Sequence, residues 1–258
     1  MIKTCFPFLI LLLLSSNIFA ASMSTSAGSK ISGGSSIGAT LNTNYLLPLG
    51  DSITQGSGSP TLLGYRLHLQ DLLGIRKYTF VGSETSPTTP YLNYQSNNGG
   101  IPSQTAAQIL SRTSTEIANM VTPISNLSAV LIHAGTNDAF GGGSSNINTT
   151  MNSIISTINT FNPNVQIYVA LITPVNLSWN STVTALNANL KTDLQTQQAT
   201  YPQLHIVDIN SAFLADASWA TDYMYSDNEH PNDAGYIVMA NTWYSCMQSS
   251  LNTYCDGH

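Results

Sequence analysis

Leu46-Leu47-Pro48-Leu49-Gly50-Asp51-Ser52-Ile53-Thr54-Gln55-Gly56 is an apolar run that ends in Gly-Asp-Ser and passes into a polar, glycine-bearing turn. The apolar part reads as a strand, and the turn puts the Ser52 hydroxyl at its carboxyl end. In open α/β sheets that edge is where ligands bind. The rest of the chain is read for what it brings to Ser52: a base, a carboxylate to orient the base, and donors for a developing oxyanion.

Downstream, residues 62–73 carry Leu63, Leu67, Leu69, Leu72 and Leu73 at helical spacing, with Gly74 placed to stop the helix. Tyr78-Thr79-Phe80-Val81-Gly82 is a second strand by its β-branched and aromatic content. Residues 84–100 form a long polar loop, and loops of that length are often functional. A helix over 104–120 is expected to bury Ala107, Ile109, Leu110, Ile117 and Met120. Residues 128–134 are almost continuously apolar, as in a strand covered on both faces. A helix over 147–161, a strand over 165–172, a helix over 181–199, a fifth strand over 204–208 and a last helix over 233–251 follow. Residues 212–224 read as irregular or briefly helical. Strands alternating with helices predict an α/β fold: one mostly parallel sheet of about five strands between helical layers.

The chain of 258 residues is long enough for one such domain. Its charged residues are only 8% and its net charge is −6, with no basic patch, which argues against a nucleic-acid partner. Residues 1–21 have Lys3, a short apolar run and a small-residue end, the pattern of a cleaved secretory signal. The run is shorter than the roughly 20 apolar residues a bilayer span needs, so no stable membrane association is expected. Residues 22–44 are a Ser/Gly-rich leader, and 45–258 form the domain. Export leaves two cysteines, Cys246 and Cys255, expected to pair and pin the carboxyl terminus. Closing so small a loop is worth about 2–3 kcal/mol. Two thiols do not complete a zinc shell, and no other cluster suggests a metal or cofactor. Asn126, Asn148, Asn176 and Asn180 head glycan-acceptor triplets, relevant only in a eukaryotic secretory route.

Ser52 is the nucleophile candidate; a serine hydroxyl needs a base to take its proton. Asp227-Asn228-Glu229-His230-Pro231 supplies one, because an imidazole oriented by a carboxylate has the right tautomer to accept that proton. Asp227 is preferred to the competing Glu229, since adjacent residues tend to point apart. His133 lies inside an apolar strand and reads as a satisfied core residue, His68 lies on a helix, His205 in a strand, and His258 is terminal. Gly135-Thr136-Asn137-Asp138 offers an amide donor for an oxyanion, a contact typically worth ~2.7–4 kcal/mol. Standing alone it reads rather as an Asx-type turn at a strand end. The backbone N–H groups of Ser52 and Ser103 are further donor candidates. Asp51 and Asp138 read as turn anchors.

Together these segments resemble the SGNH (GDSL) hydrolase superfamily. Gly50-Asp51-Ser52, Gly135-Thr136-Asn137-Asp138 and Asp227-x-x-His230-Pro231 are similar to its first, third and fifth sequence blocks. Gly64-Tyr65-Arg66, Phe80-Val81-Gly82-Ser83 and His230-Pro231-Asn232-Asp233-x-Gly235-Tyr236 look more narrowly like family three of the carbohydrate esterases, secreted acetylxylan esterases. The resemblance implies a three-layer α/β/α fold, Ser52 as nucleophile, His230 as base, Asp227 as its partner, and an oxyanion hole from Ser52, Ser103 and Asn137. Ser103 stands where the family pattern has glycine. A serine keeps the N–H donor unless the position demands positive φ, where a side chain is penalised. The implied activity is removal of acetyl groups from carbohydrate without a cofactor. The aromatic-bearing loop at 91–94 is expected to shape a sugar-facing cleft. A lipolytic acyl hydrolase is the alternative, and a non-catalytic carbohydrate-binding protein a third.

Overall fold

The computed structural model describes residues 44–74, 77–89, 93–120, 123–143, 146–249 and 254–255. The expected signal segment lies outside them, as does the expected leader up to residue 43. In chain order the strands are β1 (Asn44–Gly50), β2 (Tyr78–Phe80), β3 (Glu84–Thr85), β4 (Asn97–Gly100), β5 (Leu127–His133), β6 (Gln166–Ala170), β7 (Leu204–Val207) and β8 (Tyr254–Cys255). The helices are α1 (Ser52–Gln55), α2 (Tyr65–Leu73), α3 (Ala106–Met120), α4 (Thr136–Phe140), α5 (Ile147–Phe161), α6 (Asn180–Gln197), α7 (Ile209–Leu214), α8 (Trp219–Asp222) and α9 (Asp233–Gln248).

Side-chain alternation along the strands builds the three layers. Leu47 and Leu49 of β1, Val130 and Ile132 of β5, Ile167 and Val169 of β6, and Leu204 and Ile206 of β7 enter one core. That core is closed by Ile109 and Ile117 of α3, by Ile154, Ile155 and Ile158 of α5, and by Leu190 and Leu194 of α6. The intervening residues, Leu46, Ala129, Leu131, Tyr168, Ala170 and Val207, enter the opposite core with Leu69 of α2, Phe213 of α7 and Trp243 of α9. Period-two alternation with both faces apolar is what a sheet covered on both sides requires.

Five parallel strands run in the order β2-β1-β5-β6-β7, matching the expected sheet. Three short strands extend it among the described residues. β4 pairs parallel with the end of β1, β3 pairs antiparallel with β4, and β8 pairs parallel with β7. Asn-Asn-Gly-Gly has no β-forming character, so nothing in the polar loop marks β4 as a strand. Pro48 is tolerated in central β1 for a related reason. The Leu46 carbonyl accepts from Val81 N–H, so by the alternation of strand groups the Pro48 nitrogen faces the same side. There β2 pairs up to Leu46 and β4 only from Leu49, so no ladder donor is missed.

Two helical faces differ from expectation. α2 starts at Tyr65 and buries Arg66 and Gln70 beside Tyr65, Leu69 and Leu73, while Leu67 is half-buried and Leu72 exposed. In α3 the buried row is Ala106, Ile109, Thr113, Glu116 and Ile117, and Ala107 faces out. Cys246 of α9 is disulfide-bonded to Cys255, with Cα atoms 5.4 Å apart, which ties β8 to the last helix.

Candidate active site

β1 and β5 are neighbours, and the chain leaves them toward opposite sides of the sheet, a topological switch point. Ser52 follows β1 and Asn137 follows β5, so both stand at that crevice. Gly50 allows the tight exit: a Cβ there would lie 2.3 Å from the His133 carbonyl oxygen and from Thr54 Oγ1. Asp51 caps α1, its Oδ1 accepting Ile53 N–H at 3.0 Å. Gly135, at φ 116, turns the chain from β5 into α4.

The loop between α8 and α9 carries the other two candidates to Ser52. Ser52 Oγ–H donates to His230 Nε2 at 2.8 Å, and His230 Nδ1–H donates to Asp227 Oδ2 at 2.8 Å. Asp227 Oδ1 accepts the backbone N–H groups of Glu229 and His230, each at 3.0 Å. Partial burial works to raise the Asp227 carboxyl, but those N–H groups and the imidazole outweigh it and hold it below the usual carboxylate range. Glu229 does not meet His230; its own N–H closes the turn on Asp227. The loop is tied down by Asn176, whose N–H donates to the Asn228 carbonyl and whose Nδ2 donates to Asn228 Oδ1, both at 2.9 Å.

Around the expected oxyanion donors, Asn137 Nδ2 donates to the Gln104 carbonyl at 3.0 Å, and Asp138 Oδ2 accepts Ala106 N–H at 2.8 Å at the start of α3. Asp138 is thus the anchor its position suggested. Ser103 sits at φ 63. The position does demand a left-handed backbone, and the serine adopts it at a cost of roughly 1–2 kcal/mol.

Tyr94 of the expected aromatic loop is not part of this site. Residues 91 and 92 lie outside the described residues, and the Tyr94 hydroxyl donates to Asp71 near the end of α2. Tyr94 instead lines a cavity of about 680 Å³ with Tyr45, Thr79, Gln95, Asn97 and Asn119. Tyr45 is the second residue of β1, so this cavity lies toward the strand end opposite Ser52. Among the described residues no group of three or more His, Cys, Asp or Glu side chains gathers to hold a metal ion.

Beneath Ser52, Asp51 and His133 are fully buried, with Oδ1 and Nδ1 3.9 Å apart. His133 Nε2 accepts Thr173 N–H at 3.3 Å, so the ring proton is on Nδ1, facing Asp51. The core histidine is therefore only half satisfied by hydrogen bonds. Burial pushes the Asp51 carboxyl from 3.8 up to about 7, against the pull of Ile53 N–H and His230. Burial pushes the His133 imidazole from 6.5 down to about 4. Between the lower and upper values the folded pair holds one proton, on Asp51, and the unfolded pair also holds one, on the histidine. The two pH slopes cancel. Asp51→Asn is expected to unmask His133, so stability rises with pH between about 4 and 6.5. His133→Gln is expected to unmask Asp51, so stability falls as pH rises from about 4 to 7. Urea midpoints across that range check both, and slopes of the same sign would overturn the assignment.

Sequence reading passes over Arg112 and the pair Phe140–Trp179, meets Arg66 only within a family motif and Asn176 only as a glycan acceptor, and gives none of them a place in the site. The one available signal is Arg66 among the apolar positions of α2.

No curated protein sequence matches the chain. Among solved structures, a Clostridium thermocellum family 3 carbohydrate esterase superposes with TM-score 0.67 at 26% identity, over 80% of this chain and 95% of that one. A Talaromyces cellulolyticus family 3 carbohydrate esterase gives TM-score 0.62 at 21% identity, over 79% and 95%. A mutant acetyl esterase with acetate ion gives 0.64 at 21%, over 79% and 95%. The last two likenesses speak to the fold alone. The profile of the GDSL-like Lipase/Acylhydrolase family matches residues 49–238, from the end of β1 into α9. The chain belongs to that family and is a carboxylic ester hydrolase.

Proposed function

We propose that this esterase is secreted and removes short acyl groups, acetyl above all, from carbohydrate such as acetylxylan. The observation that carries the reading is the unbroken relay Ser52–His230–Asp227. Ser52 Oγ attacks the ester carbonyl and passes its proton to His230 Nε2. Asp227 holds the imidazole in that tautomer and stabilises it once charged. The N–H groups of Ser52 and Ser103 and the amide of Asn137 receive the oxyanion. His230 then gives its proton to the departing sugar oxygen, which leaves as a hydroxyl, and activates water against the acyl-enzyme.

Exposed rings on two rims support a sugar substrate. Phe140 is 67% exposed and lies three residues after Asn137 on α4, close to 5–6 Å away on the same solvent face. Its ring meets Trp179 edge-on at 5.9 Å. Tyr225, 47% exposed, bonds through its N–H to the His230 carbonyl at 2.8 Å. Such rings offer flat apolar faces to a pyranose. The 26% identical neighbour, titled a family 3 carbohydrate esterase, adds to this support.

The test is a p-nitrophenyl ester series from acetate to palmitate beside acetylated xylan, with Ser52→Ala as control. Ser52-dependent turnover confined to acetate and acetylxylan is expected. Phe140→Ala is expected to lose more kcat/KM on acetylxylan than on p-nitrophenyl acetate. A preference for eight carbons or more would move the assignment to a lipolytic acyl hydrolase.

A further inference from the structure

Arg112, on the second turn of α3, has a side chain 15% exposed and enclosed by backbone. Its Nη2–H groups donate to the carbonyls of Gly50 at 2.8 Å and Gly99 at 2.7 Å. Its Nε–H donates to Gln104 Oε1 at 2.6 Å. Gly50 ends β1, just ahead of the Asp51-Ser52 turn. Gly99 lies on β4, which leads into the loop bearing Ser103. Gln104 follows Ser103, and its carbonyl is the acceptor for Asn137 Nδ2. One guanidinium therefore ties the segment that carries Ser52 to the segment that carries Ser103, and Asn137 docks on the second of these through the Gln104 carbonyl.

We infer that Arg112 is a positioning residue that sets the oxyanion hole by holding the ends of β1 and β4 and the Gln104 side chain to one planar fork, with Asn137 set against Gln104. The inference rests on the esterase reading above and deepens it. Oxyanion donors act only when they lie about 2.7–3.1 Å from the charged oxygen, and a misplacement near 1 Å can cost about 10²-fold. β1 and β4 pair only at their last residues, so little else keeps their ends in register. The Ile101 N–H shares the Gly50 carbonyl at 3.1 Å, and the Asp138 bond to Ala106 N–H braces the far side.

The fork, rather than the charge, carries this role. Glu116 Oε2 lies 3.5 Å from Arg112 Nη1, and its own two oxygens accept the N–H and hydroxyl of Ser83. A fixed carboxylate so close cancels much of the cation's field at the hole. Lysine keeps the charge but offers it from a single point, and cannot reach three acceptors set around a plane.

The experiment compares Arg112→Lys, Arg112→Ala, Gln104→Ala and the Arg112→Lys/Gln104→Ala double variant with the wild type on p-nitrophenyl acetate. Inhibition by 1,1,1-trifluoroacetone is measured alongside. That ketone takes the Ser52 oxygen onto its carbonyl carbon, the carbonyl pair moves to oxygen, and the serine proton goes to His230, so its affinity reports the oxyanion hole. Either Arg112 variant is expected to lose about 10–100-fold in kcat with KM within about two-fold, and the same factor in ketone affinity. Guanidinium ion is expected to restore part of the Arg112→Ala rate and none of the lysine variant's. Gln104→Ala should lose less, and the double variant less than the product of the singles. Wild-type kcat and ketone affinity in Arg112→Lys, or strict multiplicativity in the double variant, would overturn the inference. If Arg112→Ala does not fold, the lysine and Gln104 cycle still decides. A wild type inactive on every ester takes down the esterase reading and this inference together; an active wild type with indifferent variants takes down this inference alone.

Discussion

His230→Ala is expected to lower kcat on p-nitrophenyl acetate by roughly 10⁶-fold, and Ser52→Ala by as much, with the double variant no worse than either single. In the proposed mechanism the two side chains perform one act: the Ser52 hydroxyl attacks as its proton leaves, and His230 Nε2, 2.8 Å away, is the acceptor within reach. Without the imidazole the hydroxyl remains a weak nucleophile; without the hydroxyl the imidazole has nothing to activate. A residual rate of about 10³–10⁴ over water should persist from binding and the oxyanion donors. Steady-state kinetics with active-site titration measures this. Multiplying losses in the double variant would mean that the two residues act independently, against the relay.

Arg66→Met is expected to remove on the order of 4 kcal/mol of folding stability, a large share of the ~5–15 kcal/mol typical of a domain. Arg66 is fully buried and donates to five carbonyls. Nε–H meets Thr54 at 3.1 Å and Nη1–H meets Ser96 at 3.0 Å. Nη2–H groups meet Gln55 at 2.9 Å, Leu62 at 2.8 Å and Ser86 at 2.9 Å. No carboxylate stands opposite it among these partners. Burial pulls the guanidinium down to about 10, against Tyr65 and Tyr236, so it remains a cation at neutral pH. Methionine fills much of the volume but leaves those carbonyls unpaired in the interior. Thr54 and Gln55 belong to the α1 turn that Ser52 begins, so activity should fall with stability. Arg66→Lys should recover less than half, because an ammonium cannot span acceptors on four separate segments. Urea unfolding gives the difference directly, and a loss below about 1 kcal/mol would show that water replaces the guanidinium at little cost.

Both arginines lie where local pattern reading has no purchase. Helical spacing points to Leu67 and Leu72 as part of the buried face of α2, yet Arg66 and Gln70 occupy that face because carbonyls from later loops await them. β4 is hidden for the same reason: its Asn and Gly residues form a strand only because β1 has an open edge beyond β2. Aromatic residues in a long loop suggest a site, so the sequence points to 91–94 as part of a sugar cleft. Its Tyr94 is instead anchored on α2.

What the amino-acid order determined by itself is what depends on short-range periodicity and side-chain chemistry. Alternating apolar residues needing cover on both faces imposed the sheet between two helical layers. A serine at a strand end, and an aspartate three residues before a histidine, supplied the groups of the relay. Only the tertiary structure decided that the His230 loop folds back onto Ser52 across 178 residues of chain, and that Ser103 takes a left-handed backbone. It also decided that two guanidinium groups, Arg66 fully buried and Arg112 partly so, bind the candidate-site segments together. Backbone carbonyls left over by irregular segments carry no mark in the sequence, and the cations that satisfy them are recognisable only once folding has brought donor and acceptor within about 3 Å.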